Sequence, residues 1–197
     1  MDDAPRVRPG SRAAWRAWLA RHHARRGGVW VVIDRKGARR PNLSAADVAE
    51  EALCFGWIDS LPRKRDAATW MLYVAPRKAR SVWSALNKRR LARLAGEGRV
   101  APAGHAAAER ARANGSWSAM EPAEALEVPA DLAEALRRAP AKARAGWARL
   151  PPSARRGFLG WIALARRPET RAVRVRKIVW MAARGLRDPS AAPGESP

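Results

Sequence analysis

Apolar positions recur every three or four residues over most of the chain, which is the spacing of helices with one buried face. Residues 11–26 open with a serine, a common capping residue, and stop at a pair of glycines, so we predict a first helix there. Residues 44–56 have capping-box spacing between Ser44 and Asp47 and end at a glycine, which predicts a second helix.

Between and after these helices the pattern changes to that of strands. Residues 29–33 are VWVVI, a β-branched and aromatic run that is typical of a strand. Residues 57–66 and 67–77 are two extended segments around a polar turn at Arg65 and Asp66, which predicts a β-hairpin. We expect these segments to form a small antiparallel sheet of about three strands, wrapped by helices.

After Pro76 the periodicity is helical, with prolines and glycines at the expected helix boundaries. The predicted helices cover residues 81–98, 105–115, 130–138, 140–149, 153–166 and 169–185. The fold class is therefore α+β with a mostly helical C-terminal half. We assign one domain to residues 11–187, with the helix-wrapped sheet in 11–100 and the helical half in 101–187, and disordered tails to residues 1–10 and 188–197.

The composition favours a folded protein outside the membrane. Hydrophobic residues make up 47% of the 197 positions, enough for a core. No run of about 18 apolar residues is present, and the first residues lack the apolar stretch of a signal peptide, so we expect a cytoplasmic location. The single cysteine, Cys54, excludes an internal disulfide and a cysteine-based zinc cluster, and its apolar neighbours favour a buried thiol.

Several common sites are excluded by the sequence. No glycine-rich phosphate loop follows a strand, and no serine-hydrolase elbow is present. His22 and His23 are adjacent, which places them about 100° apart on a helix and prevents them from holding one metal ion together. We therefore expect no metal site and no cofactor.

The charge narrows the choice of partners. The chain has 39 Lys and Arg against 18 Asp and Glu, a formal net charge of +21, which favours nucleic acid, anionic membrane surfaces or anionic small molecules as partners. However, 33 of the 39 basic residues are arginine and the chain is also rich in Ala, Gly and Pro, as GC-rich genomes produce. Selection for an anionic partner and codon bias both remain open as the origin of the charge.

Polar side chains gather around the predicted hairpin and the helix after it. Asp59 lies two residues from Trp57, so both side chains point to one face of the sheet. We predict a Trp-walled polar pocket around Asp59 and Arg77 for a small polar or anionic molecule. Its candidate residues are Trp57, Asp59, Tyr73, Arg77, Ser81, Trp83, Ser84 and Asn87. In the alternative interpretation the tryptophans are core, Ser84 is a helix cap, and Asp59 and Arg77 form a buried bridge.

Two further hypotheses remain open. The first is nucleic-acid binding by a basic face within residues 62–99, although no known nucleic-acid motif supports it. Its candidate residues are Arg63, Lys64, Arg65, Lys88, Arg89, Arg90 and Arg93. The second is an enzyme in which Asp59 is a general base and Arg77 or Asn87 holds an oxyanion. Because no nucleophile or cofactor motif indicates a reaction, we favour a binding protein over an enzyme.

Three strings of the sequence occur in the same order in another family: EALCFGWIDS at 51–60, PRKARSVWSALNKRRLARLAGEGRVAPAG at 76–104 and WIALARRPETRAVRVRKIV at 161–179. On these strings the chain resembles the YdeI/OmpD-associated family of bacteriocin-protection proteins, from about Trp15 to Gly185. The resemblance implies an uncharacterised bacterial protein of stress or antimicrobial tolerance, without an agreed reaction or cofactor. The matching positions are Ala52, Leu53, Gly56, Trp57, Ile58, Asp59, Pro76, Arg77, Ser81, Trp83, Ser84, Asn87, Gly98, Gly104, Thr170 and Arg171.

The charge limits how a protein of this family protects a cell. At +21 the chain repels cationic peptides at long range, so it is poorly suited to bind them directly. We therefore expect any protection to be indirect, through an envelope-related protein partner. The matching positions include Asp59 and Arg77, and this coincidence strengthens the predicted pocket.

Overall fold

The sheet predicted from residues 29–33 and 57–77 is present, and it has an additional strand. A computed structural model describes residues 3–35, 37 and 41–191. The strands β1 (Arg6–Val7), β2 (Val29–Asp34), β3 (Trp57–Lys64) and β4 (Thr69–Pro76) form one sheet in the order β1-β2-β4-β3. Because β4 is antiparallel to both β2 and β3, the predicted hairpin is confirmed, whereas β1 is parallel to β2.

The additional strand β1 lies within residues 1–10, which the sequence pattern assigned to a tail. Its two residues pair with Trp30 and Val31 of β2. The amide of Trp30 also donates to the carbonyl oxygen of Pro5 at 2.9 Å, and Val7 packs against the main core. A strand of two residues escapes prediction because it is too short to show an alternating pattern.

Both faces of β2 are buried, which explains its uninterrupted apolar sequence. On one face Val29, Val31 and Ile33 join the main core of the N-terminal unit, which spans residues 1–118. On the opposite face Trp30 and Val32 form a small cluster with Met71 of β4. The sheet therefore separates side chains that are close in sequence into two different environments.

The helices of the N-terminal unit are α1 (Arg12–His22), α2 (Ala45–Cys54), α3 (Ala85–Gly96) and α4 (Pro102–Ala113). Serine caps begin three of them, as the sequence predicts for α1 and α2. Ser44 and Asp47 form a reciprocal capping box: the Ser44 hydroxyl accepts from the Asp47 amide at 3.1 Å, and the Asp47 carboxylate accepts from the Ser44 amide at 3.0 Å. The caps fix the direction in which each helix leaves its preceding loop.

The second compact unit, residues 119–197, is helical where it is described. Its helices are α5 (Glu121–Glu124), α6 (Ala130–Arg138), α7 (Ala141–Ala148), α8 (Pro152–Ala163) and α9 (Pro168–Ala183), followed by a 3-10 turn at Pro189–Ala191. Leu132, Phe158, Ile178 and Met181 are at the centre of its core. The α+β class with a helical C-terminal half is thus confirmed, although α5 is too short to have been predicted. None of the helices in the described residues is long and apolar enough to cross a membrane.

Candidate functional site

Arg77 is the unusual polar residue of the predicted pocket. It follows β4 directly, and its amide donates to the carbonyl oxygen of Gly56 at 3.0 Å. Only 8% of the residue is exposed. Its guanidinium carbon lies 3.8 Å from the centre of the Trp83 ring, and its Nη1 donates to the carbonyl oxygen of Val82 at 3.2 Å. The side chain is therefore held against an indole in the interior of the N-terminal unit.

The other two guanidinium nitrogens, Nε and Nη2, are buried and have no hydrogen-bond partner among the described residues. An unsatisfied buried donor costs about 1–3 kcal/mol, and more when it is charged. Burial lowers the pKa of Arg77 to about 10, and the charge of Asp59 acts in the opposite direction. At neutral pH the guanidinium is still protonated, so a cation with two unsatisfied donors lies below the surface.

Asp59 is close enough to influence Arg77 but does not pair with it. Asp59 is half-buried on β3, where it pairs with Val74 of β4. Its side chain is on the same face of the sheet as that of Trp57. Within the described part of the chain, neither a hydrogen bond nor an ion pair joins Asp59 to Arg77. The bonded bridge of the alternative sequence interpretation is therefore not formed.

The tryptophans of the predicted pocket are core residues. Trp57 and Trp83 are each 1% exposed. Trp57 donates from Nε1 to the carbonyl oxygen of His23 at 2.9 Å and packs edge-on against Trp18. Trp83 lies between Arg77 and Trp117, with its ring centre 4.9 Å from that of Trp117. Trp83 thus supports Arg77, and neither buried indole forms an open wall.

The remaining candidates are dispersed. Tyr73 lies on the opposite face of the sheet from Trp57 and Asp59, where its ring packs against Trp30 at 5.2 Å. Ser84 caps α3 by accepting from the amide of Asn87 at 3.3 Å. Of the predicted set, the structure brings together Arg77 and Trp83, with Asp59 within electrostatic reach.

A loop that the sequence analysis treated only as a helix end covers this region. The Asn114 side chain donates from Nδ2 to the carbonyl oxygen of Ala79 at 2.7 Å and accepts from the Ser116 amide at 3.0 Å. The carbonyl oxygen of Ser116 accepts from the Trp83 amide at 3.3 Å, while the buried Ser116 hydroxyl has no partner among the described residues. The Asn-Gly pair at 114–115 was the available signal, since such pairs favour tight turns.

The candidate residues of the basic face are in several different settings. Arg63 lies over the ring of Trp30 at 5.3 Å, and Lys88 lies 5.5 Å from the ring centre of Trp117. Arg93 pairs with Glu50 and with Glu97. The others are an exposed Lys64 and Arg89, Arg65 at 3.7 Å from Asp66, and Arg90 at 3.5 Å from Asn87. Arg93 is therefore already neutralised by carboxylates.

An ionic network centred on Glu51, which the sequence did not predict, lies in the N-terminal unit. This carboxylate is fully buried and accepts from Arg12 Nε at 2.6 Å, from Arg16 Nη1 at 2.8 Å and from Arg99 Nη2. Arg12 also bonds Asp47 and Glu50. The network connects α1, α2 and the segment after α3, and it accounts for part of the basic charge structurally.

Cys54 and the acidic residues show no sign of a metal centre. Cys54 is buried, and burial raises the pKa of its thiol, as expected of a core cysteine. In the residues that the structure describes, no group of three or more His, Cys, Asp or Glu side chains is arranged to hold a metal ion. The site therefore has to be interpreted from Arg77 and its neighbours alone.

In the C-terminal unit Arg171 forms a bidentate pair with Asp131, at 2.6 Å from Nε and 3.0 Å from Nη2. This hydrogen-bonded pair lowers the pKa of Asp131 below its ordinary value of 3.8. The stabilisation is therefore complete above pH 3.8 and is lost as the pH falls through the lower pKa of the folded state. Because both side chains are more than a third exposed, we expect only about 0.5 kcal/mol. Urea unfolding at pH 6 and pH 2.5 checks this: the difference between wild type and Asp131→Asn should be smaller at the lower pH.

Two known family models match different parts of the chain. Residues 7–107 match a family model described as a domain of unknown function (DUF8412). Residues 125–185 match one described as bacteriocin-protection, YdeI or OmpD-associated. This confirms the resemblance inferred from the sequence for the part that holds the third string, whereas the first two strings lie within residues 7–107. No curated protein and no solved structure matches the chain. The chain belongs to the family of the domain of unknown function DUF8412, and its C-terminal unit carries the YdeI or OmpD-associated match.

Proposed function

We propose that the protein is a non-catalytic binding protein of the YdeI/OmpD-associated type, whose ligand is a small anion bound by Arg77. The observation that carries the proposal is the pair of buried donors, Nε and Nη2, without a partner in the described residues. In this proposal the protein acts in the cytoplasm in tolerance of antimicrobial stress. The description of the family that matches residues 125–185 supports that role.

The geometry of the unsatisfied donors favours an oxyanion. Nε and Nη2 form one edge of the guanidinium, and this edge matches the two oxygens of a carboxylate or phosphate. The same edge binds carboxylates elsewhere in this chain: in Arg171 to Asp131, and in Arg137 to Glu134 at 2.8 and 2.7 Å. Arg77 differs from both because its edge is buried and has no carboxylate of the protein on it.

In this proposal a ligand reaches Arg77 past the surface segment 78–81. Lys78, Ala79 and Arg80 are exposed, and the segment is held by the Asn114 bond to Ala79 and by a turn in which the Ser81 amide donates to the Lys78 carbonyl oxygen at 2.9 Å. These are few bonds, and a short surface segment of this kind opens at low free-energy cost. Outward movement of residues 78–81 would admit a ligand to the guanidinium edge and leave the bond between Arg77 Nη1 and Val82 in place.

Arg77→Met should abolish anion binding without unfolding the protein. Methionine fills similar space and removes two unsatisfied donors, while the stacking on Trp83 and the bond to Val82 are lost, so we expect the free energy of unfolding to stay within about 1 kcal/mol of wild type. Calorimetric titration with acetate and with inorganic phosphate should show affinity reduced by roughly 10-fold or more.

The matched control is Arg89→Met, which removes an exposed arginine of α3 and the same formal charge. It should leave anion affinity unchanged. Arg77→Lys keeps the charge but not the two-donor edge and should bind about as weakly as Arg77→Met. Equal affinity of wild type and Arg77→Met for both anions would contradict the proposal.

Nucleic-acid binding is the second candidate, because one observation favours it. Trp117 is half-buried and has Arg112 at 4.4 Å and Lys88 at 5.5 Å from its ring centre, a combination of aromatic ring and cations that suits single-stranded nucleic acid. Titration with a short duplex and a single strand at several salt concentrations tests it. Affinity that falls steeply with salt, and falls again in Lys88→Ala, would support this candidate over the first.

A further inference from the structure

We propose that the ligand of Arg77 is zwitterionic and amino-acid-like: its carboxylate binds the Nε and Nη2 edge of Arg77, and its ammonium group binds Asp59. This inference rests on the proposed function and specifies the ligand class of the same site. It follows from the Nε and Nη2 edge of Arg77, which has no partner in the described residues, and from Asp59, which no described residue bonds and whose charge acts on Arg77 without a bond between the two.

The first of these groups is buried and rigidly placed. Arg77 is fixed by its amide bond to Gly56, by Nη1 on Val82 and by contact with Trp83. The guanidinium lies 3.8 Å from the centre of the indole, which leaves no space for a ligand between them. A carboxylate therefore has to approach along the Nε and Nη2 edge. Such an approach is the bidentate geometry that Asp131 adopts on Arg171.

The second group, Asp59, provides a negative charge within electrostatic reach of Arg77. It is half-buried on the core side of β3, where its register partner is Val74, and no described residue donates a hydrogen bond to it. A simple anion that reaches Arg77 is repelled by Asp59, and a dianionic phosphate is repelled more strongly. A molecule with an ammonium group next to its carboxylate turns this repulsion into attraction.

Opposite charges that attract within a protein usually come into contact, because a bonded pair compensates part of the desolvation of each group. Here the Asp59 charge favours the protonated form of Arg77, yet the two remain unbonded. Asp59 is fixed on a strand and Arg77 on a stacked ring, so neither side chain closes the separation. A bridging ligand satisfies both groups without moving the sheet.

Matched pairs of probes test the inference on the full-length protein. Glycine, L-alanine and L-phenylalanine are compared with acetate, propionate and 3-phenylpropionate, which have the same carboxylate without the ammonium group. By calorimetry or saturation-transfer NMR, at least one amino acid should bind wild type about 10- to 100-fold more tightly than its matched acid, as expected for one added charged hydrogen bond. Asp59→Asn should remove this preference, and Arg77→Met should remove binding of both members of the pair.

Glu109→Gln is the matched control, since it removes an exposed carboxylate of α4 and should change neither affinity. Thermal melting of Asp59→Asn confirms that the variant is folded. If wild type binds an acid as tightly as the matching amino acid and loses both in Arg77→Met, the zwitterion inference is wrong and the anion-binding function stands. If none of the six probes binds, the zwitterion inference is wrong and the phosphate titration alone decides the anion-binding function. If Arg77→Met binds the probes like wild type, both are wrong.

Discussion

Glu51→Gln is expected to lower the free energy of unfolding by about 3–5 kcal/mol, the cost of removing one partner from a buried ionic group. The carboxylate is 0% exposed and accepts from three arginines, so its charge is compensated entirely by protein donors. Glutamine keeps the shape of the side chain but has one acceptor oxygen and an NH₂ group. This NH₂ group would face the N–H donors of the arginines. Urea unfolding followed by far-ultraviolet circular dichroism measures the change.

The network itself supplies the control for this prediction. Glu97 also pairs with Arg93 and Arg99, but its side chain is 40% exposed. Because water replaces such partners readily, Glu97→Gln should cost at most about 1 kcal/mol. Equal losses in the two variants would show that burial of Glu51 is not what makes its ion pairs important, and a loss below about 1 kcal/mol in both would contradict the prediction.

The fold could be predicted where local pattern determines it. The VWVVI run of β2 and the polar turn at residues 65–66 were sufficient for the hairpin and its pairing, because a β-branched and aromatic run and turn residues are local signals. Serine caps likewise marked the starts of α1 and α2. β1 was not visible, since its formation depends on a neighbouring edge that the local sequence does not describe.

The candidate site was predicted only in part, for a physical reason. Arg77 and Asp59 were identified by their residue types, but their separation depends on how Trp83 packs, which no spacing shows. Tyr73 was counted among the pocket residues although it lies on the opposite face of the sheet, because both faces of the neighbouring β2 are buried and alternation of polar and apolar residues gave no guide. The bonds to Glu51 join residues 35 to 48 positions apart, beyond any local pattern.

Gly146→Ala is expected to destabilise the C-terminal unit by about 3 kcal/mol or more. Gly146 lies in α7 where α9 approaches most closely, and a Cβ atom there would be 1.9 Å from the carbonyl oxygen of Ala182 and 2.7 Å from its carbonyl carbon. Both atoms belong to the backbone, so no change of rotamer relieves the overlap and the two helices must move apart. Such movement weakens contacts of Ile178 and Met181, which are fully buried in the same core.

The same unit offers a matched glycine for which the opposite result is expected. Gly157 is exposed in the interior of α8, and a Cβ atom there would meet only Pro189 Cδ, at 4.0 Å. Alanine is favoured over glycine within a helix by about 1 kcal/mol, so Gly157→Ala should raise the free energy of unfolding by up to that amount. Thermal and urea unfolding measure the free energy of unfolding of both variants. Gly157→Ala reports the effect of helix propensity alone, and Gly146→Ala reports the additional effect of helix packing. A Gly146→Ala protein as stable as Gly157→Ala would show that α7 and α9 are not in backbone contact at this point.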